Sequence, residues 1–368
     1  MGSRLYQNQK ARHWTLQAKH HNQETIQKFH EKCFPDYPPT PLTHLPRLAE
    51  ELGVAHVFLK DESARFGLSA FKILGASWAI CSVLSQRLGI GVEEIDSFDW
   101  LKERLDALDK GNLTLYTATD GNHGRAVARV ASLLGLEAQI FVPEAVSETS
   151  RDAIRAEGAQ VVLLNADYDE AVRTAEREAE KAGKRGILIQ DTSWDGYKDI
   201  PKLIVQGYST LFSEADEQLA AEGLSPSTVV VPVGVGSLAH SAVQYYRSNS
   251  SPADQPSILT VEPETAACLN TSLHANQPTS IETGYTIMPG LNCGTVSTTA
   301  WPDLLAGVDL SVVVSDVEAL KAMEDLEALG VHAGPCGAAS LAALRALPVG
   351  ILGKSMVLVM ICTEGRTS

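Results

Sequence analysis

The sequence predicts an α/β fold with two doubly wound parallel-sheet domains. From Val54 onward, short apolar runs rich in β-branched residues alternate with amphipathic helical segments, a pattern typical of repeated βαβ units. Two of the strand-like segments, 228–231 and 356–361, are almost continuously apolar. Strands of this kind are covered on both faces, as in parallel sheets that have helices on either side.

Three prolines within residues 38–42 predict an extended segment before the first strand of this pattern. Residues 90–110 are charged and amphipathic and predict a surface helix within an insertion. Residues 263–310 are rich in Gly, Pro, Asn and Thr, and a loop-rich span of that length commonly covers a site. The predicted strands are 55–60, 113–117, 137–142, 159–164, 186–190, 227–231, 257–262 and 355–361. Helical spacing of apolar residues extends over 73–84, 126–134, 168–182, 200–219 and 238–246.

Composition limits the classes of function. The 368 residues correspond to about two domains of roughly 150 residues. With 30 Lys and Arg against 45 Asp and Glu, the formal net charge of −15 argues against nucleic-acid and anionic membrane partners. No uncharged run approaches the roughly 20 apolar residues of a membrane span, and residues 1–6 lack a signal-peptide core. The six cysteines form no C-x-x-C pair, so we expect a soluble cytoplasmic enzyme or binding protein without a metal site or disulfide scaffold.

Lys72 is the first candidate for chemistry. It follows a Gly-containing turn and begins the predicted helix 73–84, and its neighbours Phe71 and Ile73 are apolar. A half-buried amine has the lowered pKa that a Schiff-base lysine needs. A solvated surface lysine is the alternative, and the local sequence alone favours it.

A second polar turn, Thr-Ala-Thr-Asp-Gly-Asn-His-Gly-Arg at 117–125, joins a predicted strand to an amphipathic helix. Its glycines permit a tight turn and close approach of a ligand to the backbone, and the helix start favours anions. The alternative is a simple capped turn with Asp120 or Asn122 as the N-cap.

Two further strand ends are candidate binding elements. Residues 234–238, Gly-Val-Gly-Ser-Leu, follow a buried strand and begin a helix, so their amides could hold a phosphate; a plain packing turn is equally compatible. Cys362 ends the last predicted strand, where ligands bind in open α/β sheets. A buried structural cysteine is the alternative there.

Taken in order, these motifs resemble those of the fold-type II pyridoxal-phosphate enzymes, the superfamily of tryptophan synthase β and threonine dehydratase. Thr-Pro-Leu at 40–42, Leu-Lys-Asp-Glu at 59–62 and Ser-Ala-Phe-Lys at 69–72 are similar to its opening pattern. One position departs from it, since Leu74 stands where the superfamily commonly has arginine.

Within that superfamily the chain is most similar to the diaminopropionate ammonia-lyases. The likeness extends over about residues 35–366 and implies α,β-elimination of 2,3-diaminopropionate to pyruvate and ammonia. The segments that carry it are Thr-Asp-Gly-Asn-His-Gly-Arg at 119–125, Gln-Asp-Thr-Ser-Trp-Asp-Gly-Tyr at 190–197, Val-Glu-Pro at 261–263 and Met-Pro-Gly-Leu-Asn-Cys-Gly at 288–294.

The resemblance also implies roles for individual residues. Lys72 would hold pyridoxal 5′-phosphate as a Schiff base and remove the Cα proton of the L-isomer, and Asp120 would be the base for the D-isomer. Thr363 is an alternative to Cys362 beside the pyridine nitrogen, where a neutral partner favours elimination over transamination. The residues implied to contact the cofactor are Phe71, Lys72, Asn122, Gly234, Val235, Gly236, Ser237, Leu238 and Cys362.

Asp191 has a physical argument of its own. A carboxylate near the cofactor would bind the β-ammonium of a diamine by charge-assisted hydrogen bonds, from which a hydroxyamino acid would gain little. An N-cap or surface charge is the alternative. The competing functions are a threonine/serine dehydratase or racemase, a specialised biosynthetic lyase acting on another β-substituted amino acid, and a cofactor-binding protein that has lost catalysis.

The resemblance further implies a domain division, with residues 1–85 and 201–368 in a large cofactor-binding domain and 86–200 in a small one. The cofactor would lie between them, the substrate would be a small amino acid, and the enzyme would be a homodimer. The resemblance also allows a disulfide between Cys268 and Cys293, whereas two free thiols are expected in a reducing cytosol.

Overall fold

The structure is a computed structural model that describes residues 4–16, 23–107, 112–119, 121–249 and 255–366. Its strands are Leu5–Gln7 (β1), Leu42–His44 (β2), His56–Asp61 (β3), Thr114–Ala118 (β4), Glu137–Pro143 (β5), Gln160–Leu164 (β6), Gly186–Leu188 (β7), Thr228–Pro232 (β8), Ser257–Pro263 (β9), Leu310–Val314 (β10) and Val357–Cys362 (β11). Its α-helices are Gln23–Cys33 (α1), Pro46–Leu52 (α2), Lys72–Leu88 (α3), Phe98–Ala107 (α4), Asn122–Leu134 (α5), Glu148–Ala156 (α6), Tyr168–Lys181 (α7), Asp199–Gly207 (α8), Ser209–Ala221 (α9), Ser237–Asn249 (α10), Cys268–Ala275 (α11), Trp301–Gly307 (α12), Asp316–Ala328 (α13) and Pro335–Ala346 (α14).

The chain divides into two units, each with its own sheet. Unit 1 consists of Met1–Gln23, Pro39–Phe71 and Tyr208–Ser368, and unit 2 of Glu24–Pro38 and Lys72–Gly207. These bounds differ from the expected domain division, because residues 24–33 of α1, residues 72–85 of α3 and residues 201–207 of α8 belong to unit 2. Helix α3 is buried along most of its length and packs against α5 and α8 of that unit.

Unit 1 contains a seven-stranded sheet in the order β1-β10-β9-β8-β11-β3-β2. The five central strands are parallel, whereas β1 and β2 pair antiparallel at the two edges. Strands β8 and β11 are buried at every residue, as their continuous apolar sequences predict. Helix α14 packs against β8–β11 and α10 against β8 and β9. Because the central strands run in one direction, the loop after β8 and the residues after β11 lie at the same edge.

Unit 2 contains a four-stranded parallel sheet in the order β6-β5-β4-β7. Helix α7 packs on β4, β5 and β7 through small residues such as Ala171 and Ala175. Helix α5 packs on β4 and β5 and also contacts α3. Strands β4 and β7 are parallel neighbours, so the residues that follow each of them lie at one edge of this sheet.

The predicted α/β architecture with parallel sheets is confirmed, and eight predicted strands correspond to β3–β9 and β11 within a few residues. The strands that were not predicted are β1, β2 and β10. The predicted helix 200–219 is two helices, α8 and α9, interrupted at the boundary between the units. Within the described ranges, no helix is long and apolar enough to cross a membrane.

Candidate active site

The candidate residues of unit 2 lie at the edge where β4 and β7 end. Lys72 is the first residue of α3, Asn122 begins α5 directly after the β4 turn, and Asp191 follows β7 by three residues. Adjacent parallel strands bring the segments after β4 and β7 together, although their residues are about 70 positions apart in the sequence. The packing of α3 against α5 and α8 places Lys72 beside this edge.

Lys72 and Asp191 form a direct ion pair. Lys72 Nζ lies 2.5 Å from Asp191 Oδ2, with side-chain exposures of 20% for the lysine and 6% for the aspartate. Burial by itself would raise the pKa of Asp191, but the positive charge of Lys72 outweighs burial and lowers that pKa to about 2. Asp191 is therefore an anion throughout the physiological pH range.

His123 is the third member of this group, and sequence analysis assigned it no catalytic role. Its Nε2 lies 2.8 Å from the carbonyl oxygen of Ile189, and its Nδ1 lies 3.9 Å from Asp191 Oδ2. Burial lowers the pKa of His123, an effect that the negative charge of Asp191 only partly opposes. His123 is therefore a neutral ring at pH 7. We refer to Lys72, His123 and Asp191 as the Asp191 cluster.

Two side chains fix the backbone that carries Asp191. Gln190 Oε1 accepts hydrogen bonds from Thr117 Oγ1 at 2.9 Å and from Ala118 N at 3.0 Å, which tie it to β4. The Tyr197 hydroxyl accepts from Gln190 N and donates to Leu188 O, both at 2.9 Å. Gln190 and Tyr197 thus hold the carboxylate position from both sides of the strand end, and Tyr197 acts as a turn-forming residue.

The turn after β4 is capped by Thr119, which the sequence did not identify as the cap. Thr119 Oγ1 accepts from Gly121 N at 2.9 Å and from Gly124 N at 3.0 Å. Neither bond uses the side chain of Asn122. Asp120, the predicted base for the D-isomer, lies outside the described residues.

Arg125 belongs to a separate ion-pair group. Its Nε donates to Glu157 Oε1 at 3.0 Å, and Arg129 Nε donates to the other oxygen of the same carboxylate at 2.5 Å. Glu157 is the buried C-cap residue of α6. Arg125 therefore joins α5 to α6, and this contact accounts for its place in the polar turn.

In unit 1, residues 234–238 form a tight loop between β8 and α10. A Cβ atom on Gly234 would lie 2.8 Å from Gly290 O and 3.2 Å from Cys293 Sγ, so no side chain fits there. Gly236 has a φ of 96°, in the left-handed region that favours glycine. Ser237 begins the 13-residue helix α10. The loop thus presents backbone amides at a helix N-terminus, an arrangement that binds anions.

Cys362, Thr363 and Phe71 lie at the same edge of this sheet. Cys362 Sγ is fully buried in the apolar core and donates a hydrogen bond to Glu364 O at 3.4 Å. Thr363 Oγ1 is also buried, and none of the described residues offers it a hydrogen-bond partner. Phe71 N donates to Thr363 O at 3.3 Å, and the Phe71 ring contacts the Tyr208 ring at a centroid distance of 4.7 Å.

Cys268 and Cys293 are free thiols in the structure. Cys268 Sγ lies 3.8 Å from Gly234 O, so both thiols are close to the glycine loop. Burial raises the pKa of the Cys268 thiol. Of the two alternatives for Cys268 and Cys293, a disulfide or two free thiols, the structure contains the free thiols.

Comparison with known proteins decides the family. Residues 34–363 match the family described as pyridoxal-phosphate-dependent enzymes. The chain is 38% identical over 304 residues to the diaminopropionate ammonia-lyase of Salmonella typhimurium, covering 80% of this chain and 73% of that protein. It is 35% identical over 356 residues to the Escherichia coli diaminopropionate ammonia-lyase, covering 92% and 87%. The chain belongs to the diaminopropionate ammonia-lyase family.

Solved structures of the diaminopropionate ammonia-lyase family agree with this assignment. The E. coli enzyme in complex with D-serine superposes with a TM-score of 0.88 at 33% identity, covering 98% of this chain and 93% of that one. Maize serine racemase, at 23% identity and a TM-score of 0.74 over 94% of each chain, shares the fold. The predictions of a fold-type II fold, of pyridoxal phosphate as cofactor and of the ammonia-lyase class are confirmed.

Proposed function

We propose that this protein eliminates ammonia from 2,3-diaminopropionate and so forms pyruvate and a second ammonia. The observation that carries the proposal is the Lys72–Asp191 ion pair, in which a buried carboxylate already holds a primary ammonium group. The relatives that are 35–38% identical carry the name diaminopropionate ammonia-lyase, which supports the same reaction for this chain.

Each unit, taken by itself, has residues that fit a part of pyridoxal phosphate. The glycine loop 234–238 has no room for a side chain at Gly234 and would hold the phosphate through its amides and the Ser237 hydroxyl. The buried hydroxyl of Thr363 needs a hydrogen-bond partner and is better suited to the pyridine nitrogen than Cys362. In addition, we assign Lys72 to the covalent bond, Phe71 to the ring and Asn122 to the 3′-oxygen. The remaining residues assigned to the phosphate loop are Val235, Gly236 and Leu238.

Bound pyridoxal phosphate supplies an electron sink that stabilises negative charge at the substrate Cα. The amine of Lys72, once it is released by the substrate amine, would take the Cα proton of the L-isomer. We assign the same step for the D-isomer to Asp120, which follows β4 in the sequence. Two bases acting on opposite faces would allow both isomers to react, and Asp120→Asn should then slow the D-isomer more than the L-isomer.

Asp191 would bind the substrate β-ammonium. Its low pKa keeps it anionic, and its burial strengthens a charge-assisted hydrogen bond to a cation. The leaving group departs with the electron pair of the Cβ–N bond, so the bound ammonium leaves as ammonia without needing a further proton. A dehydratase substrate, whose β-group is a hydroxyl, would place no cation beside Asp191.

The experiment is a substrate panel with the purified holoenzyme. Pyruvate release, followed by coupling to lactate dehydrogenase, is measured for D- and L-2,3-diaminopropionate, and 2-oxo acid release is measured for L-serine and L-threonine. The proposal expects kcat/KM for the diamine to exceed that for serine and threonine by at least about 10-fold, since one charge-assisted bond is worth that much. Higher kcat/KM for serine or threonine would instead assign a dehydratase. Activity confined to a larger β-substituted amino acid would assign a specialised lyase.

We also propose a cytoplasmic location and a homodimeric state. The free state of all six cysteines is consistent with a reducing compartment. The homodimer is supported by the family resemblance. Light scattering on the purified holoenzyme tests the dimer, because a molar mass near twice 39.5 kDa is expected.

A further inference from the structure

His123 presents a bare acceptor nitrogen inside the Asp191 cluster. The Ile189 carbonyl, 2.8 Å from Nε2, can only accept a hydrogen bond, so Nε2 must carry the ring proton. A neutral imidazole then has an unprotonated Nδ1. This nitrogen is buried, and no hydrogen-bond partner for it occurs within the described part of the chain. A buried acceptor without a donor is costly and points to a ligand.

The bare nitrogen faces a carboxylate. His123 Nδ1 and Asp191 Oδ2 are 3.9 Å apart, and because both are acceptors they cannot bond to each other. A donor group placed beside both of them could satisfy both. A primary ammonium has three N–H donors and a positive charge, whereas a hydroxyl has one donor and no charge.

An ammonium group already lies beside Asp191. Lys72 Nζ is 2.5 Å from Asp191 Oδ2, and its charge acts on the His123 ring as well. In the proposed function the lysine amine is bound covalently to the cofactor before the substrate arrives, so its ammonium does not then lie beside Asp191 Oδ2 and His123 Nδ1. A diamine can place its β-ammonium there, whereas its α-amine goes to the cofactor.

We propose that His123 Nδ1 and Asp191 Oδ2 together form the binding site for the substrate's second ammonium group, so that His123 determines specificity for a diamine. This inference rests on the proposed function. It adds His123 Nδ1 as a neutral acceptor that, together with Asp191, positions the leaving ammonium.

A matched pair of variants tests the role of Nδ1. His123→Gln can keep a donor near the Nε2 position for Ile189 O but has no acceptor in place of Nδ1, whereas His123→Asn keeps a polar atom near Nδ1 but cannot reach Ile189 O. The readout is the ratio of kcat/KM for 2,3-diaminopropionate to that for β-chloroalanine, which has the same skeleton without a β-ammonium. We expect His123→Gln to lower this ratio about 10-fold, the effect of one hydrogen bond to a charged group, and His123→Asn to lower it less. Equal ratios in both variants and the wild type would overturn the proposal.

A binding measurement separates this proposal from the proposed function. The full-length Lys72→Ala protein without cofactor, labelled with ¹⁵N-histidine, is titrated with methylammonium chloride and observed by NMR. We expect His123 to be the Nε2-protonated tautomer and its Nδ1 resonance to move saturably as methylammonium binds, with no shift in Lys72→Ala/Asp191→Asn. A protonated Nδ1, or an Nδ1 resonance that does not move, would overturn the subsite. If methylammonium binds but wild-type enzyme releases no pyruvate from 2,3-diaminopropionate, only the proposed function fails.

Discussion

Lys60 and Lys72 are two lysines set in apolar sequence, and their surroundings differ in one decisive respect. Lys60 is fully buried on β3, and its Nζ donates to Thr40 O at 2.7 Å, Glu214 Oε2 at 2.7 Å and Gln218 Oε1 at 3.0 Å. All three of its donors are used. Lys72, whose side chain is 20% exposed, lies beside Asp191 and the unprotonated nitrogen of His123. Lys60 is held in place by its hydrogen bonds, whereas Lys72 lies in the candidate active site.

The residues around Lys60 form a closed network, which we call the Lys60 cluster: Lys60, Glu62, Arg65 and Glu214. Arg65 donates to both carboxylates at 2.7 Å, and the two positive charges match the two negative ones. Burial lowers the pKa of Lys60, an effect that Glu214 and Glu62 partly offset. Burial alone therefore does not identify a reactive lysine, since a buried charge with all its hydrogen bonds made is a structural element.

Replacement of Lys72 should have the greatest consequence for activity. Lys72→Ala should reduce lyase turnover at least about 10³-fold, because both the covalent link to the cofactor and a proton-transfer group are lost. Lys72→Arg is the matched control: it restores a cation beside Asp191 but cannot form the covalent link, so it should be equally inactive. Steady-state pyruvate release, with circular dichroism to check folding, measures both. Substantial activity in either variant would remove the distinction between the two lysines.

The second effect is on stability and concerns the Lys60 cluster. Glu214→Gln leaves two buried cations with one carboxylate and should lower the free energy of unfolding by about 3–5 kcal/mol. Glu217→Gln, an exposed position on the same helix α9, should change it by less than about 0.5 kcal/mol. Urea unfolding of the cofactor-free proteins gives both values. Similar small changes in the two variants would mean that the network contributes little.

The Lys60 cluster also predicts how the free energy of unfolding changes with pH. Burial opposes ionisation of Glu214, but Arg65 and Lys60 outweigh it and lower its pKa to about 2, below its ordinary 4.5. Its contribution to stability is therefore present above about pH 4.5 and is lost as the pH falls toward 2. The wild type should lose more stability than Glu214→Gln between pH 5 and 3. If the wild type and Glu214→Gln lose equal stability in this pH range, the ion pairing of Glu214 with Arg65 and Lys60 does not lower its pKa.

Replacement of Asp191 should have a more modest consequence, confined to substrate choice. Asp191→Asn should raise KM for 2,3-diaminopropionate about 10- to 100-fold through loss of a charge-assisted bond, with a stability change well below that of Glu214→Gln. Asp195→Asn is the control, since that carboxylate is fully exposed in the same segment. Steady-state kinetics of both variants on the diamine and on L-serine shows whether only Asp191→Asn changes the preference for the diamine. An unchanged preference for the diamine in Asp191→Asn would show that Asp191 does not select the substrate.

Much of the fold could be predicted because alternating strands and helices leave a local pattern. The antiparallel edge strands β1 and β2 could not, because three residues carry little pattern and their pairing with β10 and β3 depends on distant residues. Strand β10 was missed for another reason. Residues 312–314 are three consecutive valines, which favour a strand. They come just after residues 263–310, which were predicted to be loop-rich, and no strand was predicted there.

The candidate site was predicted less evenly. Family resemblance placed Lys72 and Asp191 near one cofactor, but their direct contact depends on the parallel pairing of β4 and β7. The role of His123 depends on the direction of its ring, which the Ile189 carbonyl sets. Local sequence also could not separate Lys60 from Lys72, because the difference lies in Glu214, about 150 residues further along.

Chemical trapping of the cofactor identifies the lysine that binds it. The holoenzyme is reduced with borohydride, which fixes a lysine–cofactor bond, then digested and analysed by mass spectrometry. We expect the phosphopyridoxyl group on the peptide that contains Lys72, with Lys60 unmodified. A label on Lys60 or on any other lysine, with Lys72 unmodified, would contradict the account.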